Sequence, residues 1–242
     1  MFETLKNAFK VKEIRRKIFI TLFLLLVYRF GCWLPIPGIS GEYYSRNQSE
    51  GLADIMGLMS ALSGGALANG AFLALGVVPY INASIIIQLL GVAIPALERL
   101  SKQGEEGRKK ITQYTRYAAI VLALIQAMGY TFGLFSQALE TTNALQTAIV
   151  ILTMVAGTAF LMWLGEIITE KSIGNGISLI IFIGIISALP AQVIQMFRIV
   201  RADAVFAVKM LVFAIVALVI IAAVIAINEG ERRIPVQYAK RV

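Results

Sequence analysis

Of 242 residues, 58% are hydrophobic and only 15% charged, a balance that excludes an ordinary soluble domain. Histidine is absent and Cys32 is the single cysteine, which excludes an internal disulfide, a Cys/His metal centre and any histidine-based triad. The net charge of +8 is not gathered as a nucleic-acid binder would need: seventeen of the 22 Lys and Arg fall in segments 1–17, 98–116, 166–176 and 228–242. Placing those four segments in the cytoplasm satisfies the positive-inside rule. The chain then begins inside, crosses the membrane six times and ends inside.

Residues 1–17 form a basic lead-in, read either as a topology anchor or as an amphipathic helix on the membrane surface. No small-residue cleavage site follows the apolar run, so no cleavable signal peptide is expected. The first span covers about 18–34 and is closed by Pro35 and Pro37. Arg29 lies within it, and either snorkels to the far headgroups or pairs inside the bundle. Cys32 reads as a neutral packing residue. Residues 38–51 are polar and external.

The stretch from 52 to 96 is apolar almost throughout and carries one charge, Asp54. As one helix it would extend roughly 68 Å at about 1.5 Å per residue, whereas a bilayer core needs about 30 Å. Gly64, Gly65, Asn69 and Gly70 mark a place to fold back. The reading is a short helix that dips into the membrane and returns, then a full span over 71–96. Backbone in that state cannot face lipid and has to be wrapped in protein or line a cavity.

Next, 98–116 reads as a solvated cytoplasmic hairpin containing Gly104 and Gly107. The third span is placed at 117–135 and the fourth at 145–164. A compact inner loop, GEIITEKSIGNG, leads to the fifth at 177–197. Arg198, Arg201 and Asp203 occupy an external connection, and the sixth span covers 205–227. Glu166 and Glu170, spaced i, i+4, read as solvated charges at a helix end or as a functional carboxylate pair. GNG at 174–176 is too short for a nucleotide loop. The chain stops on NEGERRIPVQYAKRV, which resembles half of a hairpin whose return span is missing. A truncated or split polypeptide is therefore expected.

Two isoleucine pairs have useful geometry. Ile81 and Ile85, and Ile177 and Ile181, are each i, i+4 and share a helix face. On spacing alone they are lipid-facing or core residues. Asn82, Ser84 and Gln88 add a polar stripe to the second span, which turns one of its sides toward protein or water.

Three segments resemble the SecY family, the channel subunit of the protein-export translocon: FLALGVVPYINASIIIQLL at 72–90, WLGEIITEKSIGNGISLII at 163–181 and ERRIPVQYAKR at 231–241. The family has ten spans in two inverted halves of five. The resemblance implies an all-α polytopic transmembrane bundle of six spans with a re-entrant plug helix before the second. It divides the chain into the lead-in 1–17, a first five-span half at 18–197, the sixth span at 198–227 and the start of a cytoplasmic loop at 228–242. The second half stops after its first span.

By the same resemblance the plug comprises Asp54, Ile55, Met56, Gly57, Leu58, Met59, Ser60, Ala61, Leu62, Ser63, Gly64, Gly65, Ala66, Leu67, Ala68, Asn69 and Gly70. Ile81, Ile85, Ile177 and Ile181 match the constriction ring. The second span, with Asn82, Ser84 and Gln88, resembles one lip of the lateral gate. Arg232, Arg233, Lys240 and Arg241 match a loop that docks the ribosome or the SecA motor, with a smaller part for Arg108, Lys109 and Lys110.

The implied function is passage of unfolded polypeptides and release of membrane segments, without catalysis or a cofactor. Implied partners are SecE and SecG-type small subunits, SecA, the ribosome and its rRNA, signal peptides and nascent chains, membrane lipid, and the remaining C-terminal half of the channel. The implied location is the bacterial inner membrane. Two other classes fit the residues alone: a secondary transporter with a broken helix at a midplane site, disfavoured by the shortage of membrane carboxylates, and a non-conducting membrane scaffold.

Overall fold

Helices carry the fold, as the apolar runs demand, and the interest lies in where they break. The computed structural model describes residues 11–39, 57, 59–136, 139, 143–171, 174–202 and 204–230. The helices are α1 (Lys12–Gly31), α2 (Val78–Ala93), α3 (Pro95–Ser101), α4 (Glu105–Phe132), α5 (Ala144–Lys171), α6 (Gly176–Ala202) and α7 (Ala204–Asn228). Among the described residues there is no β-strand, only isolated bridges at Pro35–Ala71 and Ile39–Leu139. The chain is all-α and forms a multi-pass membrane protein. Among the described residues α5, most of α6 and most of α7 are long and apolar enough to cross a membrane, and α2 and α3 meet the same measure only taken together, across a bend of 106°.

Contacts divide the chain into two units, 1–189 and 190–242. In the first, α4 packs on both α2 and α5, and α1 packs on α5. The α4 contact is a row of small residues at every fourth position: Thr115, Ala119, Ala123, Ala127 and Thr131 are all buried. Such a row lets helix backbones approach closely where lipid offers no hydrophobic drive to associate. Ala119 meets Ala83 and Met162, while Ala123 and Ala127 join Val150 and Met154. In the second unit, the large apolar side chains of α7 from Val208 to Ile227 are mostly exposed, as befits a helix for lipid or protein contact.

The second span departs from expectation. Instead of a helix over 71–96, the chain runs in successive turns from 63 to 77 before α2 starts at Val78. Gly70 and Gly76 have φ of 55° and 59°, a conformation glycine adopts without penalty. At the other end, Pro95 drives Ile94 into an extended conformation (φ −107°, ψ 112°), and α3 turns away by 106°. The 16 residues of α2 extend only about 24 Å.

The turns that precede α2 are the centre of the core. Ala66, Leu67, Ala71, Leu73, Ala74, Leu75 and Val77 are at most 3% exposed. One cluster joins Leu67, Ala74 and Leu75 to Phe135, Val150 and Met154; the other joins Ala66, Leu73 and Val77 to Tyr28, Leu161 and Ile168. Burying non-helical backbone demands partners for its polar groups. Every backbone N–H from Ser63 to Phe72 has one: Gly65 donates to the Ser60 carbonyl at 2.7 Å, Leu67 to Ser63 Oγ at 3.1 Å, and Phe72 to the Leu34 carbonyl at 2.7 Å. Gly157 permits the close approach of α5, since a Cβ there would strike the Phe72 carbonyl.

Other boundaries also shift. The hairpin at 98–116 is α3, a turn, and the first three turns of α4, so the third helix begins twelve residues before 117. Helix α5 continues seven residues past 164. Helix α6 runs to Ala202 with Pro190 inside, so Arg198 and Arg201 are helical rather than in a loop. Polar residues do not end a helix unless they offer the backbone another partner.

Candidate functional site

A cavity of about 930 Å³ opens between α2, α4, α5 and the start of α6. Its apolar side carries Ile81 and Ile85 from α2 and Ile177 from α6, with Tyr80 and Ser84 beside them. Its polar rim carries Glu105, Arg108, Lys109, Arg116, Glu166 and Glu170, three acids against three bases. The isoleucine spacing of four on α2 therefore does present one face to an open space.

Ile181 does not line this cavity; one turn further along α6, it is half-buried against the cluster of Leu161, Leu164 and Ile180, which Ile81 and Ile177 also touch. Ile85 is half exposed. Of the polar stripe, Ser84 lines the cavity and accepts a long hydrogen bond from Gln88 Nε2 at 3.5 Å. Asn82, half-buried, is not among the lining residues.

Two contacts on the rim went unread in the sequence. Arg116 Nε donates to Glu166 Oε1 at 2.5 Å, joining α4 to α5. The clue was available, because the charge count already placed 98–116 and 166–176 at one membrane face. The second is the GNG turn. Asn175 Oδ1 accepts from the N–H of Ile177 and of Ser178, capping α6. Gly174 has φ of 88°, and Gly176 N–H donates to Thr169 Oγ1 at 2.9 Å. A Cβ on Gly176 would collide with the Gly165 carbonyl, and one on Gly165 with Ile177 Cδ1. These glycines close the α5–α6 corner tightly enough to set Ile177 against Gly165.

Of the segment 54–70, Asp54, Ile55, Met56 and Leu58 lie outside the described residues. Gly57 is exposed, residues 59–62 are helical, and 63–70 form the buried turns described above. Arg29, rather than snorkelling away, donates from Nη1 to the Gly64 carbonyl at 2.5 Å. Arg108 and Lys109 stand on the cavity rim, Lys109 pairing with Glu105 at 3.6 Å, while Lys110 is exposed and off it. Arg232, Arg233, Lys240 and Arg241 fall outside the described residues.

Comparison with known proteins gives this arrangement a family. The SecY family model matches residues 71–242. The chain is 42% identical over 250 residues to the protein translocase subunit SecY of Bacillus licheniformis, covering 99% of this chain and 57% of that protein. With the SecY of Pseudomonas aeruginosa it shares 46% identity over 222 residues, 91% of this chain and 50% of the relative. It thus spans about half the length of the curated relatives it matches.

Two solved structures share the fold. A protein-conducting channel superposes with a TM-score of 0.50 at 22% identity, over 68% of this chain and 34% of that one. The channel of a canine ribosome–channel complex from the endoplasmic reticulum gives the same values. With the family model covering most of its length and relatives this similar, the chain belongs to the SecY family.

Proposed function

We propose that this chain supplies the pore of a general protein-secretion channel, through which unfolded polypeptides cross and from which membrane segments pass into the bilayer. The observation that carries this reading is the placement of Ile81, Ile85 and Ile177 on one cavity, with Ile81 and Ile177 also packed on the cluster that holds Ala66, Leu73 and Val77 of the buried turns. Branched apolar side chains around a narrow opening dewet it, so water and ions are held back while an extended chain is let through. The collar offers no hydrogen bonds, so it is indifferent to substrate sequence. Ile181 joins it when the opening is complete.

Residues 54–70 act as the plug on the non-cytoplasmic side, and α2, with Asn82, Ser84 and Gln88, as one lip of a lateral gate. Residues 1–17 and 228–242 lie in the cytoplasm, and this chain crosses the bacterial inner membrane six times. The five-span half at 18–197 is followed by the sixth crossing and a loop beginning at 228. The remaining ring positions and the facing lip come from a C-terminal half. SecE and SecG-type subunits brace the bundle. The ribosome or SecA docks on Arg232, Arg233, Lys240 and Arg241, with Arg108, Lys109 and Lys110 contributing an attraction that weakens with salt. The channel is not an enzyme; translation, a motor ATPase or the membrane potential drives transport.

The test is contact with a chain in transit. Cysteines placed by Ile81→Cys and Ile181→Cys, in a Cys32→Ala background, should each crosslink to a stalled secretory polypeptide carrying a single cysteine. A cysteine at Val216, exposed on α7 and not among the residues lining the cavity, should not. Equal adduct yields at all three positions would remove the pore from this face.

A further inference from the structure

We propose that Arg29 is the latch that fastens the turns at 63–65 to α1. The guanidinium sits in the last turn of α1, half-buried, and Nη1 donates to the Gly64 carbonyl across 35 residues of chain. Gly64 and Gly65 have φ of 67° and 86°, so this carbonyl is presented at a left-handed turn that a residue with a Cβ resists. The fit is close: a Cβ on Gly64 would lie 2.6 Å from Tyr28 Oη and 3.2 Å from Gly184 Cα. Fully buried Cys32 lies one turn beyond Tyr28, its Sγ 3.7 Å from the Ser63 carbonyl.

The neighbouring contacts are neutral or internal to the turns. Ser60 and Ser63 hydroxyls accept from Ala68 and Leu67 N–H within the same segment. Arg29 brings a full charge to the junction. A cationic donor on a carbonyl makes a stronger bond than a neutral one. A guanidinium at this depth also loses its acceptor if the turns lift away, in surroundings that solvate it poorly. Both effects favour the seated position. On the reading of 54–70 as a plug, on which this part rests, Arg29 sets the cost of unseating it.

Cys32 is a built-in reporter, because it is the single thiol of these 242 residues and lies beneath the latched turns; any cysteine beyond residue 242 is replaced by serine for the test. Its alkylation by N-ethylmaleimide is measured in membrane vesicles for the native chain, Arg29→Met and Arg29→Lys. Loss of a charge-assisted bond should raise the rate at least about tenfold in Arg29→Met. Arg29→Lys, which keeps charge but shortens the reach, should fall between. A cysteine placed at buried Met154, with Cys32→Ala, should stay unreactive with and without Arg29→Met.

Equal Cys32 rates in native and Arg29→Met chains overturn the latch. So does a rise matched at position 154, since Arg29 would then support the whole bundle. Ion leak of the full-length protein is read in the same vesicles. Faster Cys32 alkylation with unchanged leak upholds the latch and removes the plug from the proposed function.

Discussion

Arg116 and Glu166 form an ion pair that ties α4 to α5 at the mouth of the cavity. Their side chains are 45% and 25% exposed, so the pair is neither free in water nor sealed from it. A pair so exposed contributes about 0.5–1 kcal/mol. A double-mutant cycle with Arg116→Ala and Glu166→Ala, read by thermal unfolding in detergent, should return a coupling of about that size. The coupling should shrink at high salt, and Arg116→Glu combined with Glu166→Arg should restore part of it. Additive single mutants would show that the two side chains act independently.

Asn175 is a helix cap rather than part of a ligand loop. Its Oδ1 accepts from two of the first free N–H groups of α6. Asn175→Ala should cost about 1 kcal/mol, and Asn175→Asp should be close to neutral, because both Asn and Asp cap well. Chemical or thermal unfolding of the purified protein distinguishes these, and equal losses for Ala and Asp would refute the cap.

The helices were legible in the sequence because apolar runs of the right length leave a membrane chain few alternatives. Their ends were not. Helix α5 continues past Leu164 through Glu166 and Glu170 to Lys171, since charged residues do not by themselves end a helix, and Gly174 takes a positive φ just before α6. The break before α2 was visible at Gly64, Gly65 and Gly70, but its length was not. Gly76 extends it, and the partners of the turns, Leu34 and Arg29, come from the first span, a long-range pairing that no local pattern announces. At the site, i, i+4 spacing found Ile81 and Ile85. Placing Ile177 on the same cavity depended on the Gly165–Gly176 contact between two helices.

That contact makes an unequal prediction for two glycines. A Cβ on Gly176 meets the rigid carbonyl of Gly165, whereas a Cβ on Gly165 meets Cδ1, the far end of the Ile177 side chain. Gly176→Ala should therefore destabilise the protein by about 1–3 kcal/mol. Gly165→Ala should cost less in stability and displace Ile177 into the cavity. Thermal melts rank the two, and the opposite order would mean that the α5–α6 corner has slack.

Ile81 and Ile177 have cavity on one side and the Leu161–Ile180 cluster on the other, so a shorter or polar side chain widens and wets the opening without unseating the helices. Serine at Ile81, Ile85, Ile177 and Ile181 together should raise ion leak several-fold in proteoliposomes of the full-length channel, while valine at the same positions should change it little. The contrast matters because Ile→Val removes one methyl group and leaves the surface apolar, at a cost near 0.5–1.5 kcal/mol for each well-packed residue. Serine adds a hydroxyl that holds water in a constriction that otherwise dewets. If conductance follows side-chain volume alone, with valine and serine leaking alike, the barrier is steric rather than a matter of wetting. If neither leaks, the four isoleucines are packing residues and the ring lies elsewhere.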